Sequence, residues 1–336
     1  MSRPTPAAPP GGHPAAVAPA VGLAAQLTAA TRVLAEAGVE SPRADADLLA
    51  AHVLGVSRGR LPLIREIPGE AAERLRALVA RRCRRVPLQH LTGEAYFRHR
   101  TLAVGPGVFV PRPETETVAG WAIDELRAGA RPGGPGLVCV DLCAGSGAIA
   151  LALADEVPGA EVHAVEADPA ALGYLRRNVA AAGLAVGVHA ADVLGGAGPV
   201  PDGWAEVSVL DALAGLVGRV DAVVSNPPYL PDSDRVTVAP EVGDHDPPWA
   251  LWGGGGDGLA APRAVAAVAA ALLRPGGLFA MEHADGQGPA ARALLVGTRG
   301  WSEVATRRDL AGRDRFVTAR LEVSADRAEG AIRGKQ

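Results

Sequence analysis

Lysine is nearly absent from this chain. Of 33 basic residues among 336 only Lys335 is a lysine, so arginine carries the positive charge. Asparagine (Asn178 and Asn226), methionine (2), tyrosine (3) and phenylalanine (4) are also scarce. The skew points to a GC-rich genome and speaks about codons, not function. Aromatic residues make up 4% against 48% hydrophobic, so a chain long enough for two domains must build its core from Ala, Val and Leu. The three cysteines, Cys83, Cys139 and Cys143, lack the His or Cys neighbours of a zinc site. Two of them fall on or beside an apolar run, and they read as reduced core thiols; no metal is expected. No apolar run is long enough to cross a bilayer and no signal peptide is recognisable, which makes the cytoplasm the expected location. A net charge of −4 and a pI near 6.1 oppose sequence-independent affinity for phosphates, so no direct nucleic-acid partner is expected.

Against this background one of the two asparagines and one of the three tyrosines bracket two prolines, in Asn226-Pro227-Pro228-Tyr229. Chance assembly of that tetrapeptide is on the order of one in ten thousand. It follows the apolar run Val220-Asp221-Ala222-Val223-Val224-Ser225, so a strand ends in a polar, sterically locked exit. Turn chemistry alone could explain such an ending. The functional alternative starts from the substrate. An amide or exocyclic amine nitrogen has a delocalised lone pair and must be held in line with an electrophile. The Asn226 side-chain oxygen and the Pro227 carbonyl can each accept an N–H from such a nitrogen. Pro227 and Pro228 stiffen the acceptors, and Tyr229 offers a face for stacking. Asn226 and Pro227 are the candidate catalytic residues, and all four the candidate substrate-binding residues.

Upstream, Leu137-Val138-Cys139-Val140-Asp141-Leu142 reads as a buried parallel strand, Cys143, Ala144, Gly145, Ser146 and Gly147 as a tight turn, and the Ala/Leu run from Ala148 as a helix start. Glycines there let the backbone approach a ligand, and the helix start presents free N–H groups. One unit later Val162-His163-Ala164-Val165-Glu166 ends a strand in a carboxylate, placed to bind two ribose hydroxyls. The loop lacks a full dinucleotide fingerprint, so Asp141 with Glu166 suits an adenosine carrying no pyrophosphate.

These features resemble a class I S-adenosylmethionine-dependent methyltransferase, with a Rossmann-like, mostly parallel seven-stranded sheet in an α/β fold and a small N-terminal α-helical domain. Further motifs narrow the family. Ser41-Pro42-Arg43-Ala44-Asp45-Ala46-Asp47-Leu48-Leu49 with the residues to Gly55, Pro87-Leu88-Gln89-His90-Leu91-Thr92-Gly93-Glu94, Val108-Phe109-Val110-Pro111-Arg112-Pro113-Glu114-Thr115-Glu116, and Glu282-His283-Ala284-Asp285-Gly286-Gln287-Gly288 resemble the PrmC/HemK release factor glutamine methyltransferases over roughly residues 30 to 320. The resemblance implies methyl transfer from S-adenosyl-L-methionine to N5 of the glutamine in the Gly-Gly-Gln motif of class 1 peptide chain release factors. It implies that Asp141 and the Cys143, Ala144, Gly145, Ser146, Gly147 turn contact the methionine part, Glu166 the ribose and Asp192 the adenine. Asn226 borders the cofactor as well as the glutamine. No general base is assigned, because a sulfonium leaving group asks mainly for alignment and desolvation. Three departures stand out. Cys143 replaces the family's usual glycine, which requires a negative φ there; Val193 replaces an aromatic residue after Asp192; and the segment 199–216 is longer than the family requires, a surface insertion beside the cofactor.

The expected organisation is a disordered Pro/Ala-rich tail over 1–20, a helical substrate-recognition domain over 21–95, an inter-domain hairpin and linker over 96–136, a catalytic domain over 137–322 and a loose tail over 323–336, in a monomer. The arginines at 81, 82, 84, 85, 98, 100 and 112 read as a solvated helix end, or as a face for an acidic partner. Asp244-His245-Asp246-Pro247-Pro248 reads as a loop capping the site rather than a metal cluster. Residues 253–258, with five glycines, read as a turn before a helix, since they lack the lysine of a phosphate loop. Glu282 and His283 either face a ligand at the sheet's carboxyl edge or form a satisfied pair. Rival readings are a glutamine methyltransferase of a ribosomal protein, an adenine N6 or guanine N2 nucleic-acid methyltransferase, and a non-catalytic scaffold that only binds release factors.

Overall fold

The computed structural model describes residues 19–129, 136–195, 203–298 and 300–322. Both expected tails, apart from residues 19 and 20, and the start of the 199–216 insertion lie outside the described residues. The chain divides into two compact units between Thr92 and Gly93.

The first unit is helical. A short ladder, β1 (Val21–Gly22) with β2 (Glu66–Ile67), ties its start to the stretch before α3, and α1 (Leu23–Glu36), α2 (Pro42–Leu54), α3 (Gly69–Cys83) and α4 (Leu88–Thr92) fill it. Proline at the first position of α2 and left-handed Gly55 just past its end are its start and stop. Leu23, Leu27 and Leu34 of α1, Ala46, Leu49 and Ala50 of α2, and Ala72, Leu75 and Val79 of α3 are buried together at helical spacing. The arginine-rich end of α3 is not simply solvated: Arg82 is 7% exposed and donates to Asp45 Oδ2 of α2 at 2.7 Å.

The second unit is built on a seven-stranded sheet. A hairpin of β3 (Glu94–Phe97) and β4 (Arg100–Ala103) leads into α5 (Pro113–Gly129), so the stretch expected as a linker contributes Phe97, Leu102, Val118 and Ile123 to the same core as the sheet. Then follow β5 (Val138–Leu142), α6 (Ala148–Glu156), β6 (Glu161–Glu166), α7 (Pro169–Ala182), β7 (Val186–Ala190), α8 (Val209–Ala212), β8 (Val220–Ser225), α9 (Pro240–Gly243), α10 (Pro248–Leu251), α11 (Ala260–Leu272), β9 (Leu273–Glu282), α12 (Gly288–Val296), β10 (Trp301–Arg308) and β11 (Asp314–Leu321). The order is β10-β11-β9-β8-β5-β6-β7, with β5 to β9 parallel and β10 and β11 antiparallel. Because the side-chain period in a strand is two, Cys139, Ala222 and Val224 point into one core beside α5 and α6, while Val140, Leu142 and Val223 point into the other beside α11 and α12. The chain runs outward from β5 in one direction through β6 and β7, then in the other through β8 and β9. The carboxyl ends of β5 and β8 therefore meet at the point where strand order reverses, the usual place for a ligand in such sheets.

The remaining arginines of the basic concentration in this unit are internally paired. Arg98 bonds Glu156 and Arg100 bonds Asp155, fastening the hairpin to α6, and Arg112 pairs with buried Asp246. No helix among the described residues is long and apolar enough to cross a membrane.

Removing one partner of a buried ion pair leaves an uncompensated charge. Asp45→Ala is expected to destabilise the helical unit by about 3–5 kcal/mol, read as an earlier urea transition. A loss below about 1 kcal/mol, the range of exposed pairs, would contradict the structural role given to Arg82.

Candidate active site

The turn after β5 has the geometry expected of a strand, glycine turn and helix, with one difference. Cys143 sits at φ +61°, in the left-handed region, where a negative φ was expected. A non-glycine residue pays about 1–2 kcal/mol for that conformation. The surroundings hold it there: Ala144 N–H donates to Val165 O at 2.9 Å and Gly145 N–H to Glu166 Oε2 at 2.8 Å. Gly147 lies at φ +89°, where any side chain is strained, and a Cβ there would lie 2.6 Å from Leu175 Cδ1 and force that side chain to shift.

Behind the turn Asp141 is fully buried. Its Oδ2 accepts from Ala150 N–H at 2.9 Å, while Oδ1 has no partner. Burial pushes its carboxyl well above the usual range, with Glu166 adding to the rise. Glu166 accepts three backbone hydrogens, from Gly145, Ala167 and Asp168, at 2.8 to 2.9 Å. Burial raises its pKa, and those three bonds oppose the rise. A carboxylate has about four lone-pair sites, so acceptor capacity remains. Asp192 is buried after β7, with Oδ1 bonded to Leu194 N–H at 2.9 Å and its own N–H donated to Val207 O at 3.0 Å. That last bond lays the second half of the expected insertion against the end of β7.

At the end of β8, Asn226 is half-buried and its Nδ2 donates to Thr115 Oγ1 of α5 at 3.3 Å. Tyr229 is not a free stacking face. Its hydroxyl donates to Glu282 Oε1 at 3.2 Å, and burial beside that carboxylate holds its pKa above the usual tyrosine value. Its carbonyl accepts from Gln287 Nε2 at 2.7 Å. The turn at 253–258 packs directly on this exit: a Cβ at Gly258 would lie 2.3 Å from Tyr229 O, which explains a glycine there without any phosphate.

A cavity of about 360 Å³ joins these parts. Of the residues expected from sequence, Cys143, Ala144, Gly145, Ser146, Glu166, Asp192, Asn226 and Pro228 line it. Asp141, Gly147, Pro227 and Tyr229 are not among the residues that line it. The segment containing Asp246 closes one side through Pro247, Trp249 and Trp252. Burial pushes Asp246 up to about 6 against the opposing charge of Arg112, and no metal-holding cluster occurs among the described residues. Sequence reasoning missed Thr115, Asp168, Trp204 and Trp249 as wall residues. Trp204 and Trp249 meet edge-on with centroids 5.8 Å apart, and Trp249 Nε1 donates to Asp168 Oδ2 at 2.9 Å. The only advance signal was compositional, two tryptophans in a chain that has five.

Residues 25–93 match the family model described as the PrmC N-terminal domain, and residues 136–242 the methyltransferase small domain. The chain is 49% identical over 89% of its length to a release factor glutamine methyltransferase of Streptomyces coelicolor, of which it covers 98%, and 48% identical over 88% of its length to one of Mycolicibacterium smegmatis, of which it covers 97%. It is also 42% identical, over 85% of its length and 91% of the relative, to a 4-amino-L-phenylalanine/4-methylamino-L-phenylalanine methyltransferase of Streptomyces pristinaespiralis. Matched at this level over 89% of its length, the chain belongs to the release factor glutamine methyltransferase family.

Proposed function

We infer that the protein transfers a methyl group from S-adenosylmethionine to N5 of the glutamine in the Gly-Gly-Gln motif of class 1 peptide chain release factors, as a monomer in the cytoplasm and with no nucleic-acid partner. The observation that carries this reading is that Asn226, whose Nδ2 is already engaged, borders the same cavity as the Cys143 turn, Glu166 and Asp192. An amide-orienting strand exit and an adenosine-sized set of acceptors thus open into one space.

The residues fit the cofactor. Asp141 keeps a buried oxygen without a partner, which suits an ammonium group, and Glu166 has lone pairs left for ribose hydroxyls. Asp192 borders the cavity where an adenine amine would need an acceptor, and Trp204 supplies an aromatic face in place of the one lost at Val193. S-adenosylmethionine supplies a sulfonium-activated methyl group when bound. The protein's part is orientation and exclusion of water. Asn226 Oδ1 and the Pro227 carbonyl accept the two N–H groups of the glutamine amide and favour the positive charge that develops on its nitrogen. Tyr229, tied to Glu282 and Gln287, serves as the anchor of that backbone. A formal charge of −4 favours a protein over a nucleic-acid substrate.

Incubation with S-adenosylmethionine and a class 1 release factor, followed by peptide mass spectrometry, tests the reading. A methyl on the Gly-Gly-Gln glutamine is expected, absent when that glutamine is alanine. Methylation of free 4-aminophenylalanine with the release factor left unmodified would overturn it. Asn226→Ala is expected to lower kcat at least about 100-fold while S-adenosylhomocysteine binding, followed by calorimetry, is nearly unchanged; equal loss of both would contradict the orienting role. Trp204→Ala is expected to weaken S-adenosylhomocysteine binding by about 0.5–1.5 kcal/mol, the worth of an aromatic contact, and an unchanged Kd would remove Trp204 from the adenine.

A further inference from the structure

Asn226 works as an acceptor only if its amide oxygen, rather than its NH2, faces the substrate. An amide has nearly the same shape either way round, so something else must choose. The candidates lie beside it. In the parallel pairing of β8 with β9, Ser225 is opposite Met281, which brings Asn226 level with Glu282 at the carboxyl edge of the sheet. Glu282 is 1% exposed and Thr115, on α5, is 3% exposed. Glu282 Oε1 takes the Tyr229 hydroxyl, while Oε2 is buried with no partner at hydrogen-bond length. Thr115, held to Asn226 at 3.3 Å, makes no hydrogen bond to this carboxylate in the structure, and its hydroxyl favours the ionised form of Glu282.

We propose that Glu282 and Thr115 are positioning residues that fix the Asn226 amide with Oδ1 toward the substrate, an inference that rests on the amide-orienting role of Asn226 given above. A carboxylate can only accept hydrogen bonds, so the single hydrogen of Thr115 turns to Glu282. The threonine oxygen is then left as an acceptor, and only the Nδ2 side of Asn226 can meet it. The opposite orientation would set two acceptor oxygens against each other in a buried place, which is costly. The chain of donors thus runs one way, from Asn226 to Thr115 to Glu282.

Charge on Glu282 is what gives the chain its direction. Burial pushes its pKa up to about 7, with Glu114 of α5 adding to the rise; Thr115, Arg315 of β11 and Tyr229 oppose it. Arg315 is itself held by Asp309 at 3.2 Å, and Arg112 acts on Tyr229 from the linker side. Once protonated, Glu282 no longer demands the threonine hydrogen, Thr115 can donate to Asn226, and the amide is free to turn its NH2 outward. Activity therefore rises with pH as Glu282 ionises, the opposite sense to this residue's own effect on folding, since a raised carboxyl pKa favours the folded state at low pH.

Two measurements test this. Because the chain has only two asparagines, protein labelled with 15N at asparagine gives two side-chain NH2 signals, of which the one missing in Asn226→Ala belongs to Asn226. That signal is expected to shift with an inflection near pH 7 in the unmodified enzyme and to lose the inflection in Glu282→Gln and in Thr115→Val. This readout needs no turnover, so it separates failure of the positioning chain from failure of the substrate assignment. In turnover, Thr115→Val is expected to lower kcat about 10-fold to 100-fold, the cost of a misaligned reactant, with KM for the release factor and Kd for S-adenosylhomocysteine within about threefold. Thr115→Ser, which keeps the hydroxyl, is expected to restore kcat. An Asn226 signal insensitive to pH, an inflection that survives in Glu282→Gln, or a serine variant as impaired as the valine one would overturn the proposal; should Glu282→Gln fail to fold, the Thr115 pair decides.

Discussion

The hydrogen bond from Asn226 Nδ2 to Thr115 Oγ1 decides what the exit of β8 offers to a ligand. It occupies the donor side of the amide and leaves the acceptor side for the cavity. Much of the surrounding structure keeps that bond in place. The parallel pairing of β8 and β9 sets Asn226 level with Glu282, α5 delivers Thr115 from the other side, and the Tyr229 hydroxyl and carbonyl are pinned by Glu282 and Gln287. Two prolines remove backbone freedom between these anchors. The strand exit is therefore rigid before any substrate arrives, which is the condition for electrostatic preorganisation to be worth anything.

Facing it, the turn after β5 carries strain of another kind. Cys143 occupies a left-handed conformation that glycine would adopt at no steric cost. The bonds that hold it there run to Val165 and Glu166, so the same hydrogen bonds that fix the turn also orient the carboxylate assigned to the ribose. Glu166 and the turn are one unit, and a change in either is felt by both. On the far wall, Asp168 does double work: it caps α7 through Ala170 and takes the Trp249 indole, which in turn packs on Trp204. The Val193 departure is thus set beside an aromatic pair drawn from two other segments.

The features visible in advance were those written in contiguous residues. Strand, turn and helix from Leu137 to Ala154 could be read because apolar runs, glycines and an alanine-rich start follow one another directly, and Glu166 because it ends the next apolar run. Less visible were features that depend on residues far apart in sequence. Thr115 meets Asn226 across 111 positions and Trp249 meets Asp168 across 81. The strand Trp301–Arg308 mixes exposed and half-buried positions because it lies at the sheet's edge, so it carries no apolar run to announce it. The basic concentration misled for a related reason: Arg82, Arg98, Arg100 and Arg112 find acidic partners 37 to 134 positions away, which a local reading of charge cannot anticipate. The φ of Cys143 was misjudged because side-chain identity was taken to set the backbone, whereas the tertiary bonds of the turn set it.

The most direct test of the account is the structure of the enzyme with S-adenosylhomocysteine and a Gly-Gly-Gln peptide. The glutamine N5 is expected about 2.7–3.2 Å from both Asn226 Oδ1 and the Pro227 carbonyl, with Asn226 Nδ2 still on Thr115. A glutamine amide bound elsewhere in the cavity, or an Asn226 turned away from Thr115 in that complex, would contradict it.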